Sequence, residues 1–252
     1  NTAADGIYSI VISSTDDAGN TFTTSLANLT IDTREAKAYV TTELDGISPN
    51  GDGAADAQKF TIRTSVSDGI VSWHFDVCAE DGTAVRGWSE KDSANVPASV
   101  VWDGLDASGK TAEGTFTGTL KIMYRNGSRV SVSSSPFVCS ATPPVLSVKT
   151  APEYFSPDND GTDDDLFIRL SGTTKGKLSS WSFVINDPNG RVFWKTGGTA
   201  SITERLVWDG LSNTQKDANG MAERVQSAMD YPWTFTATDS LGMTSQVTGA
   251  IP

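Results

Sequence analysis

The chain has 252 residues, a net charge of −12 and 37% hydrophobic residues. This charge argues against binding to nucleic acid or docking on an anionic membrane surface, because both require clustered Lys and Arg residues. No run of 18 apolar residues is present, so we expect no membrane-spanning segment. We also expect no signal peptide within the sequence. The 23 Gly and 10 Pro residues, with many Ser and Thr residues, favour turns and strands.

The most informative feature of the chain is an internal repeat. Ser48–Gly53 reads Ser-Pro-Asn-Gly-Asp-Gly and returns 108 positions later as Ser-Pro-Asp-Asn-Asp-Gly at Ser156–Gly161. Val101–Leu105 reads Val-Trp-Asp-Gly-Leu and returns after 106 positions at Val207–Leu211. A period of this length fits a whole small domain rather than a solenoid repeat. The sequence therefore predicts tandem copies of one module.

The first segment, residues 1–33, matches the end of that module. At the same spacing of 108, Tyr8 aligns with Phe116 and Ile31 with Cys139. We therefore expect residues 1–33 to form the C-terminal strands of a preceding, incomplete module. Such strands would expose an apolar core face and an open edge. The chain is then part of a longer multi-domain protein, or these strands pack on a partner.

Two whole modules are expected next, at residues 34–143 and 144–252. Residues 142–145, Thr-Pro-Pro-Val, form a stiff junction, because consecutive prolines favour an extended backbone. Short alternating runs are separated by Asp-Gly and Asn-Gly pairs, which supply the positive φ of tight hairpins. Residues 221–229 are the best helical candidate. We predict an all-β fold of tandem immunoglobulin-like antiparallel β-sandwiches.

Two acidic loops are the candidate metal sites. The first acidic loop (residues 48–56) offers Asn50, Asp52 and Asp56 as ligands. The candidate ligands of the second acidic loop (residues 156–165) are Asp158, Asp160, Asp163, Asp164 and Asp165. Oxygen ligands at alternating positions, with a glycine at the bend, are what Ca²⁺ requires. The alternative is that these side chains only cap their own turns. Ca²⁺ is the cofactor that the sequence indicates, and the first acidic loop is the weaker site.

The two cysteines, Cys78 and Cys139, leave their pairing open. A bridge would close a loop of about 60 residues and stabilise the fold by roughly 4 kcal/mol. The repeat instead places Cys139 at a core position, as a small hydrophobic residue. We therefore favour free thiols over a disulfide.

The aromatic and catalytic candidates point away from an enzyme. Trp102 and Trp208 are expected to fill the core, and stacking on sugars is the alternative, with Trp88 and Trp194 better placed for it. The single histidine, His74, lies on the strand face opposite its apolar neighbours. No nucleophile-elbow, zinc or phosphate-loop motif accompanies it. We expect no catalytic activity.

The repeated motifs resemble those of known bacterial modules. The segment 102–116, with Trp-Asp-Gly, a later Asp and Gly, and then Gly-Thr-Phe, resembles the immunoglobulin-like module of the flagellar hook-capping protein. The Ser-Pro-Asn-Gly-Asp-Gly turn resembles the one in bacterial surface and gliding-motility modules. Arrays of this kind are similar to those of spirochaetal envelope proteins, in which an OmpA-type domain can follow. Ala55-Asp56 and Asp163-Asp164 depart from the Asn-Asp of the family.

The resemblance implies a structural role in the bacterial envelope. We expect a non-catalytic spacer array in the periplasm or at the cell surface. The alternative is an adhesive or protein-binding module that grips a protein or envelope partner by its sheet edges or loop tips. A carbohydrate-binding module is the third hypothesis. An apolar patch of several hundred Å² on one module would favour binding over spacing.

Overall fold

A computed structural model describes residues 3–91, 95–226 and 228–252 of the chain. Every regular element in these ranges is a β-strand, which confirms the predicted all-β fold. The strands of the first half are β1 (Gly6–Thr15), β2 (Thr21–Ile31), β3 (Ala38–Thr42), β4 (Gly46–Ile47), β5 (Gln58–Thr64), β6 (Ile70–Ala79), β7 (Ala84–Ser89), β8 (Ser99–Trp102), β9 (Gly114–Tyr124), β10 (Arg129–Ser133) and β11 (Phe137–Cys139).

The second half continues with strands of the same kind. They are β12 (Val145–Ala151), β13 (Leu166–Thr173), β14 (Leu178–Asn186), β15 (Val192–Thr199), β16 (Arg205–Trp208), β17 (Leu211–Lys216), β18 (Ala222–Arg224), β19 (Tyr231–Asp239) and β20 (Thr244–Ile251). Within the described ranges no helix occurs that could cross a membrane.

The strands assemble into small sheets. β1 and β2 form an antiparallel hairpin sheet of their own. A six-stranded sheet has the order β4-β11-β9-β6-β7, with β10 also paired to β9, and a three-stranded sheet has the order β3-β5-β8. Later in the chain follow the sheets β12-β13-β16, β15-β14-β19-β20 and β17-β18. The pair β4–β11 is parallel.

The chain divides into two compact units, each made of several segments. The first consists of Asn1–Glu43, Lys59–Val100 and Thr117–Ser135, and the second of Leu44–Gln58, Val101–Phe116 and Pro136–Pro252. The boundaries predicted for the modules, at residues 34–143 and 144–252, stay predictions.

In the first unit, inward-facing residues of β5 and β6 build an aromatic core. Phe60 and Phe75 are fully buried, and their ring centroids lie 5.0 Å apart. Gly118 faces both rings, because an added Cβ would lie 2.6 Å from Phe60 and 2.7 Å from Phe75. The hydroxyl of Tyr124 donates a hydrogen bond to the carbonyl of Val66 at 2.9 Å, and burial raises the pKa of that hydroxyl.

In the second unit, the two repeated tryptophans are fully buried, which confirms their predicted place in the core. The indole N–H of Trp102 donates to the carbonyl of Leu105 at 2.8 Å, and that of Trp208 donates to the carbonyl of Leu211 at 2.9 Å. Buried indole N–H groups need such a partner. Each Trp-Asp-Gly-Leu segment therefore turns back on its own tryptophan.

The sheets β12-β13-β16 and β15-β14-β19-β20 close over one core. Leu166, Ile168 and Trp208 of the first sheet share a buried cluster with Phe183 and Phe235 of the second. Alternate residues of each strand face inward and their neighbours face solvent, as the period of two requires. This is the two-layer sandwich expected from the alternating sequence.

Two sequence-based interpretations are decided by the fold. The helical candidate at 221–229 contains a strand: Ala222–Arg224 pair with β17 as strand β18, while residue 227 lies outside the described ranges. Sheet pairing overrides the local helical preference here. Cys78 and Cys139 are free thiols, so no disulfide joins them. Burial raises the pKa of the Cys139 thiol to about 12 and also raises that of Cys78.

Candidate metal centre

The two acidic loops adopt the same backbone conformation. Gly51 and its counterpart Asn159 have φ values of 79° and 72°, and Ala55 and its counterpart Asp163 both have 55°. In each loop the N–H of the leading serine donates to the carbonyl of the second of these residues, at 2.8 Å in the first loop and 2.9 Å in the second. Positive φ is uncommon outside glycine, so these shared values indicate that both loops close with the same backbone conformation.

The last aspartate of each loop binds two backbone amides. Asp56 accepts hydrogen bonds from the N–H groups of Gly51 and Gly53 at 2.7 and 2.8 Å. Asp164 accepts the two corresponding bonds at 2.6 and 2.8 Å. Both carboxylates are therefore held facing into their loops.

The first acidic loop satisfies its remaining carboxylate with an amide. The Asn50 side-chain NH₂ donates to Asp52 Oδ2 at 3.0 Å, and Asn50 Oδ1 accepts from the Asp52 N–H at 2.9 Å. The hydrogen bond from the Ala54 N–H, and then the one from Asn50, hold the pKa of Asp52 below its usual value. In this loop a neutral amide therefore hydrogen-bonds the Asp52 carboxylate.

The second acidic loop replaces that amide with a third carboxylate. Asp158 occupies the position of Asn50, and its Oδ1 accepts from the Asp160 N–H at 3.2 Å. Oxygen atoms of Asp158, Asp160 and Asp164 lie within 4.8 Å of one another. Three like charges at this distance repel one another unless solvent or a cation offsets them.

This geometry fits the size of a calcium ion. Ca²⁺ binds oxygen at 2.3–2.6 Å, so two oxygens on opposite sides of one ion are about 4.8 Å apart. Three carboxylates supply part of the six to eight oxygens that Ca²⁺ takes, and the exposed loop leaves room for water to supply others. The donors are all carboxylate oxygens, which suit a hard cation better than Zn²⁺, whose sites usually include Cys or His ligands.

Two of the five predicted ligands of this loop stand outside the group. Asp163 contributes its backbone carbonyl to closing the loop, and its exposed side chain is not among the three that converge. Asp165, also exposed, directly precedes β13 and is likewise outside. The group consists of the three positions equivalent to Asn50, Asp52 and Asp56.

The structure also shows a repeated clamp that sequence reasoning missed. Asp5 Oδ1 accepts hydrogen bonds from the N–H of Thr33 at 2.9 Å and from its hydroxyl at 2.7 Å. At the positions 108 residues later, Glu113 accepts from the N–H of Ala141 at 2.9 Å, and it also accepts from the hydroxyl of the preceding residue, Ser140, at 2.6 Å. Asp5 and Glu113 are themselves 108 positions apart, so the repeat spacing is the signal that could have found this clamp. In both places the acid ties down the segment that follows a closing strand.

Arg34 adds a second fastening after β2. Its guanidinium binds the carboxylate of Asp32 at 2.8 and 2.9 Å and that of Asp68 at 2.8 and 3.0 Å. These charge-assisted hydrogen bonds from Arg34 lower the pKa of Asp32 to about 2 and lower that of Asp68. The paired geometry fixes the segment between β2 and β3.

The remaining candidates lie in ordinary structural surroundings. His74 Nε2 lies 3.0 Å from Asp76 Oδ1, and the histidine side chain is half-exposed. Trp88 packs on Phe75 with ring centroids 5.9 Å apart, and Trp194 packs on the ring of Phe183 at 6.4 Å. Both tryptophans therefore extend the cores instead of standing free.

Comparison with known proteins gave no family assignment. No protein-family model matches the chain, and no curated protein matches it. The resemblance to the hook-capping, gliding-motility and OmpA-associated modules therefore stays a prediction.

Several solved structures are similar over most of the chain. One is a tetra-tandem repeat in the extending region of a large adhesion protein (17% identity, TM-score 0.39, 98% of this chain and 56% of that one). Another comes from a 1.5-MDa bacterial ice-binding adhesin (13%, 0.41, 87% and 65%). A third is the Ca²⁺-stabilised ice-binding adhesin of an Antarctic bacterium (16%, 0.33, 97% and 55%). This chain thus spans 55% to 65% of the length of these adhesin chains.

Proposed function

We propose that this chain is a non-catalytic spacer array of immunoglobulin-like modules, part of a bacterial cell-surface protein, and that Ca²⁺ stabilises its second acidic loop. The observation that carries the calcium proposal is the convergence of Asp158, Asp160 and Asp164 within 4.8 Å. The first acidic loop has the same backbone, yet in it the side-chain amide of Asn50 donates a hydrogen bond to the carboxylate of Asp52. The second loop has a carboxylate in that place, and we propose that a bound cation offsets this added negative charge.

The clamps support the spacer role. A spacer holds its ends apart only if the segments between its sandwiches are stiff. Glu113 fastens the backbone before Pro143 and Pro144, and consecutive prolines limit bending there. Asp5 and Arg34 fasten the segment between β2 and β3 in the same manner. Both segments are therefore held by side chains instead of hanging as flexible linkers.

The experiment exchanges the one ligand that distinguishes the two loops. Asp158→Asn gives the second loop the amide of the first, and Asn50→Asp gives the first loop the carboxylate of the second. We expect Ca²⁺ to raise the Tm of the wild-type chain, by linkage worth about 2.7 kcal/mol when the free ion exceeds its Kd 100-fold. The Asp158→Asn variant should lose this response, and the Asn50→Asp variant should gain a second binding event in calorimetry.

Controls separate ligation from charge. Asp165→Asn removes the same charge from the same loop outside the converging group, so its calcium response should remain. Mg²⁺ should substitute poorly, because it demands stricter octahedral geometry. If chelator leaves the wild-type melt unchanged, the calcium part of the proposal is wrong. If small-angle scattering shows the intact chain sampling bent and extended shapes freely, the spacer part is wrong.

A further inference from the structure

The β1–β2 hairpin presents an uncovered apolar face. In its register Ile10 lies opposite Leu26 and Tyr8 opposite Leu29, so these side chains project on one side of the hairpin. The open face consists of Tyr8, Ile10, Ile12, Phe22, Leu26 and Leu29. Ile12, Leu26 and Phe22 are 60%, 61% and 69% exposed. Contiguous apolar surface of this kind marks a place where another protein surface binds.

The same hairpin turn joins β19 and β20 in the second unit, where the equivalent face of the hairpin is buried. Asp16 Oδ1 accepts from the N–H groups two and four residues ahead, at 3.0 and 2.8 Å. Asp239 Oδ1 accepts the same two bonds at 2.9 and 3.0 Å. Aligning these turns sets Ile12 against Phe235, which is 0% exposed. The 108-residue spacing sets Ile12 against Leu120, which is also 0% exposed.

The second unit shows what covers such a face. Phe235 shares its buried cluster with Leu166, Ile168 and Trp208, which come from strands β13 and β16 of the opposing sheet. Those strands alternate apolar and exposed residues, and β16 ends in the Trp-Asp-Gly segment. The covering layer is thus an uncharged, alternating β-sheet face with a tryptophan at its edge.

The segment after the hairpin has the matching fastening. Asp5 binds Thr33 as Glu113 binds Ala141, at 2.9 Å in both cases. The hairpin therefore repeats the turn, the strand positions and the exit clamp of a complete module. Among the described residues it lacks the further strands of its own sheet, equivalent to β14 and β15, and the opposing layer.

We infer that the open face binds the apolar layer of another module of this same type, with strands like β13 and β16, so that the hairpin completes a further sandwich. The inference rests on the modular array proposed above and is independent of calcium. Among the described residues the face carries no charged side chain, and neither strand of the hairpin pairs with a strand other than its partner in the hairpin. A second copy of the chain, docked face to face, is the competing occupant.

The test supplies the layer within the same polypeptide. Residues 34–113 are fused ahead of Gly6, so that Glu113 precedes Gly6 as it precedes Gly114, and the chain continues to residue 252. We expect amide exchange in residues 6–31 to slow by at least about tenfold, since stably paired strands open rarely. Fluorescence of 8-anilinonaphthalene-1-sulfonate, which reports exposed apolar surface, should fall relative to the 1–252 chain.

Matched substitutions identify the face. Within the fusion, Ile12→Asp should restore fast exchange, because Ile12 belongs to the open face. Val11→Asp should not, because Val11 is equally exposed, at 62%, but points to the other side. A second fusion, with residues 144–228 ahead of Gly6, guards against a failure specific to the first.

Three results would overturn the inference. They are fast exchange of residues 6–31 in both fusions, equal effects of Val11→Asp and Ile12→Asp, and a 1–252 chain that is dimeric by light scattering with its hairpin already protected. The last would assign the open face to a second copy. Because no step involves calcium, these outcomes are separate from failure of the metal site.

Discussion

Replacing Trp208 tests the energetics of the sandwich core. This side chain is fully buried, and its ring lies 5.4 Å from that of Phe155 and 6.2 Å from that of Phe193. Trp208→Ala removes these contacts and leaves a cavity, so we expect a loss of about 3–5 kcal/mol in the free energy of unfolding. Trp208→Phe keeps most of the ring but leaves the Leu211 carbonyl without its indole donor, so we expect a loss of about 1–3 kcal/mol.

The control for Trp208 lies next to it in the same strand. Val207 is 55% exposed on the opposite face of β16, and Val207→Ala should change stability by about 0.5 kcal/mol or less. Native-state hydrogen exchange in β13 and β19 is the assay, because it reports this core and not the chain average. A loss below about 1 kcal/mol for Trp208→Ala, or an alanine variant no worse than phenylalanine, would refute the assigned packing.

Two further predictions concern titrating groups. Cys139, whose thiol pKa burial raises to about 12, should react with a disulfide reagent only as fast as the protein unfolds, while the partly exposed Cys78 reacts first; equal rates would contradict the assigned burial. Hydrogen bonds from Arg34 lower the pKa of Asp32 from 3.8 to about 2, so the stability they contribute is complete above about pH 4 and lost as the pH falls towards 2. Arg34→Gln should move the Asp32 titration observed by NMR back towards 3.8, and an unmoved titration would rule out the pairing.

The repeat spacing predicted much of the local structure, because equivalent residues face equivalent constraints. Positions 48 and 156 open loops with matching φ values, and Trp102 and Trp208 are buried with matching hydrogen bonds. Composition and turn pairs were sufficient for the all-β class. A repeated sequence adopts the same backbone, because equivalent aspartates accept hydrogen bonds from equivalent backbone amides.

Side-chain convergence could not be read from the same pattern. Five aspartates in one loop look equivalent in sequence, yet the positive φ at Asp163 turns that side chain out while the amides of the loop draw Asp164 in. The clamp of Asp5 on Thr33 joins residues far apart in the chain, so no local signal marks it. The best helical candidate, 221–229, contains strand β18 instead, because pairing with β17 decides residues 222–224.

The matched loops have a consequence for how such proteins evolve. Asn and Asp codons differ by a single base, and positions 50 and 158 hold these two residues on the same backbone. On the calcium site proposed above, we expect a single-base change at either position to convert a loop that hydrogen-bonds its own carboxylate into one that binds Ca²⁺, or the reverse. The change would leave the loop backbone and its other hydrogen bonds in place, because both residues already occupy the same position on matching backbones.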